Sequence, residues 1–130
     1  MKSILFDTNA YGAFLAGDKS MLDVLSRAET ISMSVIVLGE LHAGFRGGNK
    51  RGENERILAE FLGKPGVSTL LLSLETAQIF GEIKEGLKRA GTPIPINDVW
   101  LASQAMETGA VLVSLDAHFR RVPGLRLWNS

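Results

Sequence analysis

Short apolar runs alternate with segments of helical periodicity along the chain, and this alternation predicts the fold. Residues 4–6 are apolar without any alternation, which is typical of a strand buried on both faces of a parallel sheet. Further strands are predicted at residues 31–33, 69–72, 111–114 and 125–128, and helices at about 11–16, 19–28, 35–45, 53–62, 74–90 and 98–107. The order of these elements predicts a three-layer α/β/α domain with a mostly parallel sheet of roughly five strands.

Glycine and helix-capping residues set the expected limits of several helices. Gly91 and Gly109 follow two of the helical segments, and glycine is the residue that most often ends a helix. Asn97 stands directly before the helix that is expected to begin at Asp98, so it is predicted to be the N-cap. Residues 44–52 contain four glycines and predict a mobile loop between two helices.

Length and composition indicate one globular domain over residues 1–130. Of the 130 residues, 45% are hydrophobic and 22% are charged, which is typical of a folded chain. The apolar runs are too short for a membrane span, and the first of them ends at Asp7, which does not fit a signal peptide. The sequence has no cysteine, which excludes disulfides and thiolate metal sites and favours a cytoplasmic location.

The basic residues are unevenly distributed, although the formal net charge of zero does not indicate a strongly basic nucleic-acid binder. One cluster, Arg46, Lys50 and Arg51, lies in the glycine-rich stretch, and a second, Arg120 and Arg121, lies in a segment without acidic residues. Solubility and contact with phosphate groups both explain such clusters. These five residues are therefore candidates for contact with a phosphate-bearing ligand.

Asp7 and Asp116 each follow a predicted strand closely. In open α/β sheets, ligands bind just beyond the carboxyl ends of the strands. A helix cap also explains Asp7, and an Asx-turn also explains Asp116. Because both acids stand at comparable places relative to their strands, we expect them to share one edge of the sheet.

Glu40 and Asp98 lie on predicted helices in positions that face the core. Helical periodicity places Glu40 between Ile36 and Val37, inside the apolar arc, where a carboxylate is costly unless it is paired or bound to a metal. A salt bridge to a nearby Arg or Lys is the alternative for Glu40. Asp98 lies in the first turn of its helix, where the helix dipole also favours an acid. It nevertheless belongs to the buried stripe of that helix, together with Leu101. Both acids are expected to point toward the edge that carries Asp7.

The combination of four carboxylates predicts a site for a hard divalent cation. Four carboxylates that lie close together cannot all ionise comfortably without a cation. Oxygen ligands without cysteine suit Mg²⁺ or Mn²⁺ rather than zinc. Thr8, Asn9 and Ser114 are neighbours of the acids in sequence and are expected to orient them by hydrogen bonds. Hydrolysis of a phosphodiester is the chemistry that such a site supports.

The two histidines are not expected to be metal ligands, because neither has a partner at metal-ligand spacing. His42 lies off the face of Glu40 and is predicted to be on the surface. His118 is two residues past Asp116, where substrate contact is conceivable, but a packing role is favoured.

With these residues in place, the chain resembles the PIN-domain ribonucleases, and most closely the VapC-type toxins of toxin–antitoxin pairs. The likeness covers nearly the whole chain and consists of segments that are weak singly and specific in combination. These are Ile4-Leu5-Phe6-Asp7-Thr8-Asn9, Gly39-Glu40-Leu41 with Gly44, Asp98-Val99-Trp100-Leu101-Ala102-Ser103-Gln104-Ala105, Leu112-Val113-Ser114-Leu115-Asp116-Ala117-His118-Phe119 and Val122-Pro123-Gly124-Leu125. Ser103 and Ser114 depart from the residues that are common in the family, Ala and Thr, and neither departure affects the expected chemistry.

The resemblance implies an activity, a cofactor and partners. It implies Mg²⁺-dependent cleavage of RNA by the toxin of a type II toxin–antitoxin system, with Asp7, Glu40, Asp98 and Asp116 as catalytic residues and metal ligands. Arg46, Lys50, Arg51, Arg120 and Arg121 then become candidate RNA contacts. The resemblance also implies a homodimer and an antitoxin protein that blocks the site.

Two other classes of protein share parts of this pattern. Phosphatases of the haloacid dehalogenase type also begin with a buried strand that ends in an acid, but Asn9 stands at the place of their second acid and no matching lysine motif follows. A non-catalytic PIN-like module for protein interactions is the other alternative. Such a module need not keep the four acids, and all four are present here.

Overall fold

The computed structural model of the chain describes residues 3–128 and has a parallel sheet as its centre. The strands are Ser3–Phe6 (β1), Thr30–Ser34 (β2), Val67–Leu70 (β3) and Val111–Val113 (β4). The helices are Thr8–Leu15 (α1), Lys19–Arg27 (α2), Val35–Gly47 (α3), Arg51–Leu62 (α4), Leu74–Ala90 (α5) and Ile96–Thr108 (α6), followed by a 3₁₀ turn at Ala117–Arg121. The strand order is β3-β2-β1-β4 and all pairs are parallel, which confirms the predicted fold class.

The strand β1 lies in the interior of the sheet because its side chains are apolar on both faces. Ile4, Leu5 and Phe6 are fully buried, and the strand pairs with β2 on one side and β4 on the other. In parallel pairs the carboxyl ends of neighbouring strands lie at the same edge. Asp7 and Ser114, which follow β1 and β4, are therefore brought together at that edge.

The sheet has four strands within residues 3–128, one fewer than the roughly five that the sequence predicts. The segment expected to form the last strand contributes only a single bridge between Leu112 and Leu127. Two backbone hydrogen bonds support this bridge, from Leu112 to the Arg126 carbonyl at 2.9 Å and from Trp128 to the Leu112 carbonyl at 3.0 Å. The segment therefore runs beside β4 without forming a strand of its own.

The glycine-rich stretch is helical over most of its length, so the prediction of a mobile loop at residues 44–52 was wrong. The helix α3 runs to Gly47, α4 begins at Arg51, and only residues 48–50 connect them. Glycine costs about 1 kcal/mol relative to alanine inside a helix. Burial of the apolar face of α3, with Val37 and Leu41 in the core, offsets that cost.

The helix α6 begins two residues earlier than predicted, and Asn97 is not its cap. Pro95 is the N-cap residue, and its carbonyl accepts hydrogen bonds from the amides of Asp98 and Val99 at 3.0 and 3.1 Å. Asn97 therefore lies in the first turn, where its side chain is free to contact other elements.

The predicted helix ends are confirmed at Gly91 and Gly109, which have left-handed φ values of 70° and 76°. No helix within residues 3–128 is long and apolar enough to cross a membrane.

Candidate active site

Asp7 is held rigidly at the carboxyl end of β1. Its side chain accepts a hydrogen bond from the backbone amide of Ala10 at 2.8 Å and so caps α1. The hydroxyl of Ser114, at the end of β4, donates a second hydrogen bond at 2.5 Å. The residue is only 6% exposed. Asp7 therefore has the capping role expected from its position and is also linked to the neighbouring strand.

The surroundings of Asp7 disfavour its charged form. Burial raises the pKa of Asp7 above its ordinary value of 3.8, and this effect outweighs the lowering by the Ser114 hydroxyl and the Ala10 amide. The negative charges of Asp116 and Glu40 raise the pKa further. A buried carboxylate under repulsion from two other acids is an arrangement that a bound cation would relieve.

Glu40 lies at the exposed rim of the site, so the prediction that it points toward the core was wrong. Side chains of α1 and α6 reach Glu40, but they leave it exposed to solvent. Two neutral groups hold the carboxylate: the Thr8 hydroxyl donates to Oε1 at 2.6 Å, and the Asn97 amide donates to Oε2 at 3.4 Å. The alternative of a salt bridge to Arg or Lys is not seen among the described residues.

His118 lies between Asp98 and Asp116, a contact that the sequence did not reveal. Its Nε2 is 2.8 Å from an oxygen of Asp98, although the direction of the N–H is poor for a hydrogen bond, and its Nδ1 is 3.0 Å from an oxygen of Asp116. Asp116 also accepts a hydrogen bond from the backbone amide of His118 at 3.1 Å and caps the 3₁₀ turn. The only signal in the sequence was the two-residue spacing from Asp116, which is too common to identify the contact with Asp98.

Electrostatic interactions connect all four acids. Burial raises the pKa of Asp98, the nearby His118 lowers it, and the charges of Glu40 and Asp7 raise it again. Asp7 in turn interacts with Asp116 and Glu40. The structure thus places the four predicted acids in one region, with two of them at strand ends and two on helices.

The donor set suits a hard cation, but the side chains do not form a closed site. All four acids offer carboxylate oxygens, the ligands that Mg²⁺ and Mn²⁺ prefer. Within residues 3–128, however, no three acidic or histidine side chains are placed so that they could hold one ion together. His118 occupies the space between Asp98 and Asp116, which keeps these carboxylates apart. The residues fit a divalent ion by their chemistry, and His118 would have to move for Asp98 and Asp116 to bind one ion together.

The remaining candidate residues differ in their hydrogen bonds and ion pairs. Thr8 and Ser114 make the hydrogen bonds described above, whereas Asn9 is exposed and makes no side-chain hydrogen bond to the described residues. Arg51 pairs with Glu55 at 2.8 Å, and Arg121 donates to the Pro93 carbonyl at 2.8 Å.

The other basic candidates and His42 are exposed. Arg46 lies in the last turn of α3, and Lys50 precedes α4. Arg120 lines a cavity that also includes Asp116. The surface position predicted for His42 is confirmed, because its side chain is 49% exposed.

Comparison with known proteins identifies the family. Residues 4–125 match the PIN domain. The chain belongs to the PIN-domain family. It is 33% identical over 109 residues to Ribonuclease VapC2 of Rickettsia felis, which covers 83% of this chain and 80% of that protein. It is 32% identical to Ribonuclease VapC2 of Haemophilus influenzae, over 83% of this chain and 84% of that protein.

A solved relative has the same fold over nearly the whole chain. The crystal structure of VapBC2 from Rickettsia felis, bound to a DNA fragment from its promoter, contains a chain that superposes with a TM-score of 0.87. The match covers 98% of both chains at 29% sequence identity. The resemblance that the sequence motifs indicated is therefore confirmed at the levels of family and fold.

Proposed function

We propose that this PIN domain is a divalent-metal-dependent endoribonuclease that hydrolyses RNA phosphodiester bonds. The observation that carries the proposal is the convergence of Asp7, Glu40, Asp98 and Asp116 at one edge of the sheet. The relatives named Ribonuclease VapC2 support RNA as the substrate. Mg²⁺ or Mn²⁺ is the proposed cofactor, with the four acids as its ligands.

The side chains around the acids define what each would contribute to hydrolysis. A bound divalent ion supplies positive charge for a phosphate oxygen and makes a water molecule a better nucleophile. Ser114 fixes Asp7, while Thr8 and Asn97 fix Glu40, so these two carboxylates face the site in set orientations. Without a cation the acids repel the phosphate backbone, since both carry negative charge. The same cluster thus makes approach of RNA dependent on the ion.

Cleavage assays with purified protein test this function. The protein is first treated with EDTA and then supplied with Mg²⁺ or Mn²⁺ in the presence of total bacterial RNA. We expect cleavage only after metal is added, and sequencing of the new 5′ ends gives the preferred sites. Cleavage that persists in EDTA would contradict the metal requirement. No cleavage of any RNA with either metal would favour the alternative of a non-catalytic interaction module.

We further propose that the protein is the toxin of a type II toxin–antitoxin pair and forms a homodimer that an antitoxin protein blocks. The solved Rickettsia felis relative is a VapBC2 assembly, which supports a protein partner of this kind. The surface also offers apolar side chains for such contacts. Leu71 and Leu74 are 68% and 87% exposed, so both side chains are accessible to a partner. A cytoplasmic location follows from this role.

Replacement of Thr8 by valine is expected to lower RNA cleavage about ten- to a hundredfold at limiting Mg²⁺. Valine keeps the shape of threonine but removes the hydrogen bond to Glu40, and loss of a group that orients a metal ligand typically has this effect. Cleavage rates are measured as a function of metal concentration. The matched control is Thr69→Val on the exposed edge strand β3, where we expect no change. Equal rates for Thr8→Val and wild type would show that the orientation of Glu40 is unimportant.

The basic residues at the junction of α3 and α4 are expected to contact RNA phosphates. Arg46→Ala combined with Lys50→Ala should reduce the slope of log K against log salt concentration by about one per lost contact. Arg89→Ala is the matched control, because Arg89 is 80% exposed and pairs with Glu85. RNA binding is measured by fluorescence anisotropy at several salt concentrations. A slope that changes as much in Arg89→Ala as in the double variant would argue against a specific path at this junction.

A further inference from the structure

A cavity of about 130 Å³ opens beside the acid cluster, at the carboxyl end of β4. Asp116 and Ser114 line it, so it shares a wall with the proposed active site. Leu127, Trp128 and Arg120 also line it. The volume is several times the roughly 30 Å³ that a water molecule occupies in the liquid. The cavity therefore has room for a ring system and not only for solvent.

The backbone of Trp128 is bonded to β4, and its ring has no aromatic partner within residues 3–128. Its backbone amide donates to the Leu112 carbonyl at 3.0 Å, which anchors this residue to β4. Among residues 3–128 no ring stacks on it, whereas the other tryptophan, Trp100, stacks on Phe80 with 3.9 Å between ring centroids. A half-buried indole that lines a cavity is suited to stack on a nucleobase, since every base has a π-face.

Arg120 supplies an uncommitted positive charge in the same cavity. It is exposed and forms no ion pair with any described residue, although Asp116 lines the cavity with it. Its neighbour Arg121 differs, because its guanidinium donates to the Pro93 carbonyl. A free guanidinium offers paired N–H donors that match the oxygens of a phosphate.

We propose that this cavity binds one ribonucleotide of the RNA, next to the bond that is cut. The base lies against Trp128 with Leu115 and Leu127 at its edges, and the phosphate of that nucleotide contacts Arg120. Because Asp116 and Ser114 belong to both sites, the occupied cavity sets which phosphodiester reaches the acids. This inference rests on the proposed ribonuclease function, and it names the cavity as the place where base preference arises.

Fluorescence of Trp128 tests occupancy directly. In the full chain with Trp100→Phe, Trp128 is the sole tryptophan, and the four nucleoside 5′-monophosphates are the probes. We expect saturable quenching by at least one of them and none by ribose 5-phosphate, which lacks the base. Arg120→Ala should weaken the binding about tenfold. Arg126→Ala, whose side chain does not line the cavity, should leave it unchanged.

Cleavage patterns supply the second measurement. Trp128→Leu keeps an apolar wall but removes the stacking surface, so we expect the cleavage rate to fall about five- to a hundredfold on RNA that carries the preferred base. The preference for one base at the position next to the cut should be lost. Trp100→Phe should retain the wild-type preference.

The outcomes separate this proposal from the nuclease itself. If the protein cleaves RNA while all four nucleotides quench no more than ribose 5-phosphate, the cavity is not a nucleotide site and the nuclease stands. An unchanged base preference in Trp128→Leu would overturn the proposal in the same way. If nucleotides quench Trp128 but no RNA is cleaved with metal, the ribonuclease function fails while the binding site remains.

Discussion

Asp7→Asn is expected to reduce metal-dependent RNA cleavage about a hundred- to a thousandfold without unfolding the protein. Asparagine caps helices as well as aspartate does, so it can keep the hydrogen bond with the Ala10 amide. It removes the negative charge that a divalent ion would bind at the buried end of β1. A bound metal ion lowers the reaction barrier by several kcal/mol because it stabilises charge in the transition state. Each 1.4 kcal/mol corresponds to about a tenfold change in rate. Initial cleavage rates at saturating Mg²⁺, compared with wild type, measure the effect.

The control for this substitution is Asp18→Asn. Asp18 caps α2 through the Met21 amide at 3.1 Å, so the same chemical change is made at a helix N-terminus outside the site. We expect its cleavage rate to equal that of wild type. Cleavage by Asp7→Asn at the wild-type rate would show that Asp7 is only a cap.

The same variant is expected to be more stable than wild type in the absence of metal at neutral pH. Burial and the charges of Asp116 and Glu40 raise the pKa of Asp7 in the folded state above 3.8, so the folded protein binds this proton more tightly than the unfolded chain. The resulting stability is fully present below the unfolded pKa and is lost as the pH rises through the folded pKa. Asparagine, being neutral, avoids that loss. For a domain of this size, 1 kcal/mol corresponds to about 3–6 °C in Tm.

Melting curves in EDTA across this pH window test the stability prediction. The wild-type Tm should fall relative to that of Asp7→Asn as the pH rises above 3.8, and the difference should level off once the folded pKa is passed. Added Mn²⁺ should stabilise wild type by mass action, by about 2.7 kcal/mol at a hundred times Kd, and the variant much less. If Asp7 is only a cap, its loss of charge should instead cost about 0.3–1 kcal/mol at the helix dipole, as expected for Asp18→Asn. A lower Tm for Asp7→Asn in EDTA would therefore contradict electrostatic strain at the cluster.

The sequence predicted the fold and the site best where an acidic residue directly follows a run of buried apolar residues. An unbroken apolar run that ends in Asp7 specifies both a buried strand and an acid at its edge, and both are seen in the structure. The sequence pattern and the PIN-domain motifs singled out three further acids, Glu40, Asp98 and Asp116, and the structure places them in the same region as Asp7. The local pattern of apolar and acidic residues can be read from a sequence. The common edge then follows, because the carboxyl ends of parallel strands lie on the same side of a sheet.

Features that depend on contacts between distant elements were not predictable. Asn97 contacts Glu40 across 57 positions of the chain, and this contact requires α6 to begin earlier than its polar residues indicate. The exposure of Glu40 depends on which part of α3 other elements cover, and helical periodicity does not contain that information. His118 reaches Asp98 only because the 3₁₀ turn after β4 folds against the start of α6.

Binding of Mn²⁺ tests most directly whether the four acids form one metal site. The fraction of free Mn²⁺ is measured by electron paramagnetic resonance during titration of the EDTA-treated, dialysed protein at neutral pH. We expect saturable binding by wild type and Asp18→Asn, and at least a tenfold weaker affinity after neutralisation of each acid in turn, as Asp7→Asn, Glu40→Gln, Asp98→Asn and Asp116→Asn. Affinity equal to that of wild type in all four variants, or no binding by wild type at millimolar Mn²⁺, would contradict a shared metal site.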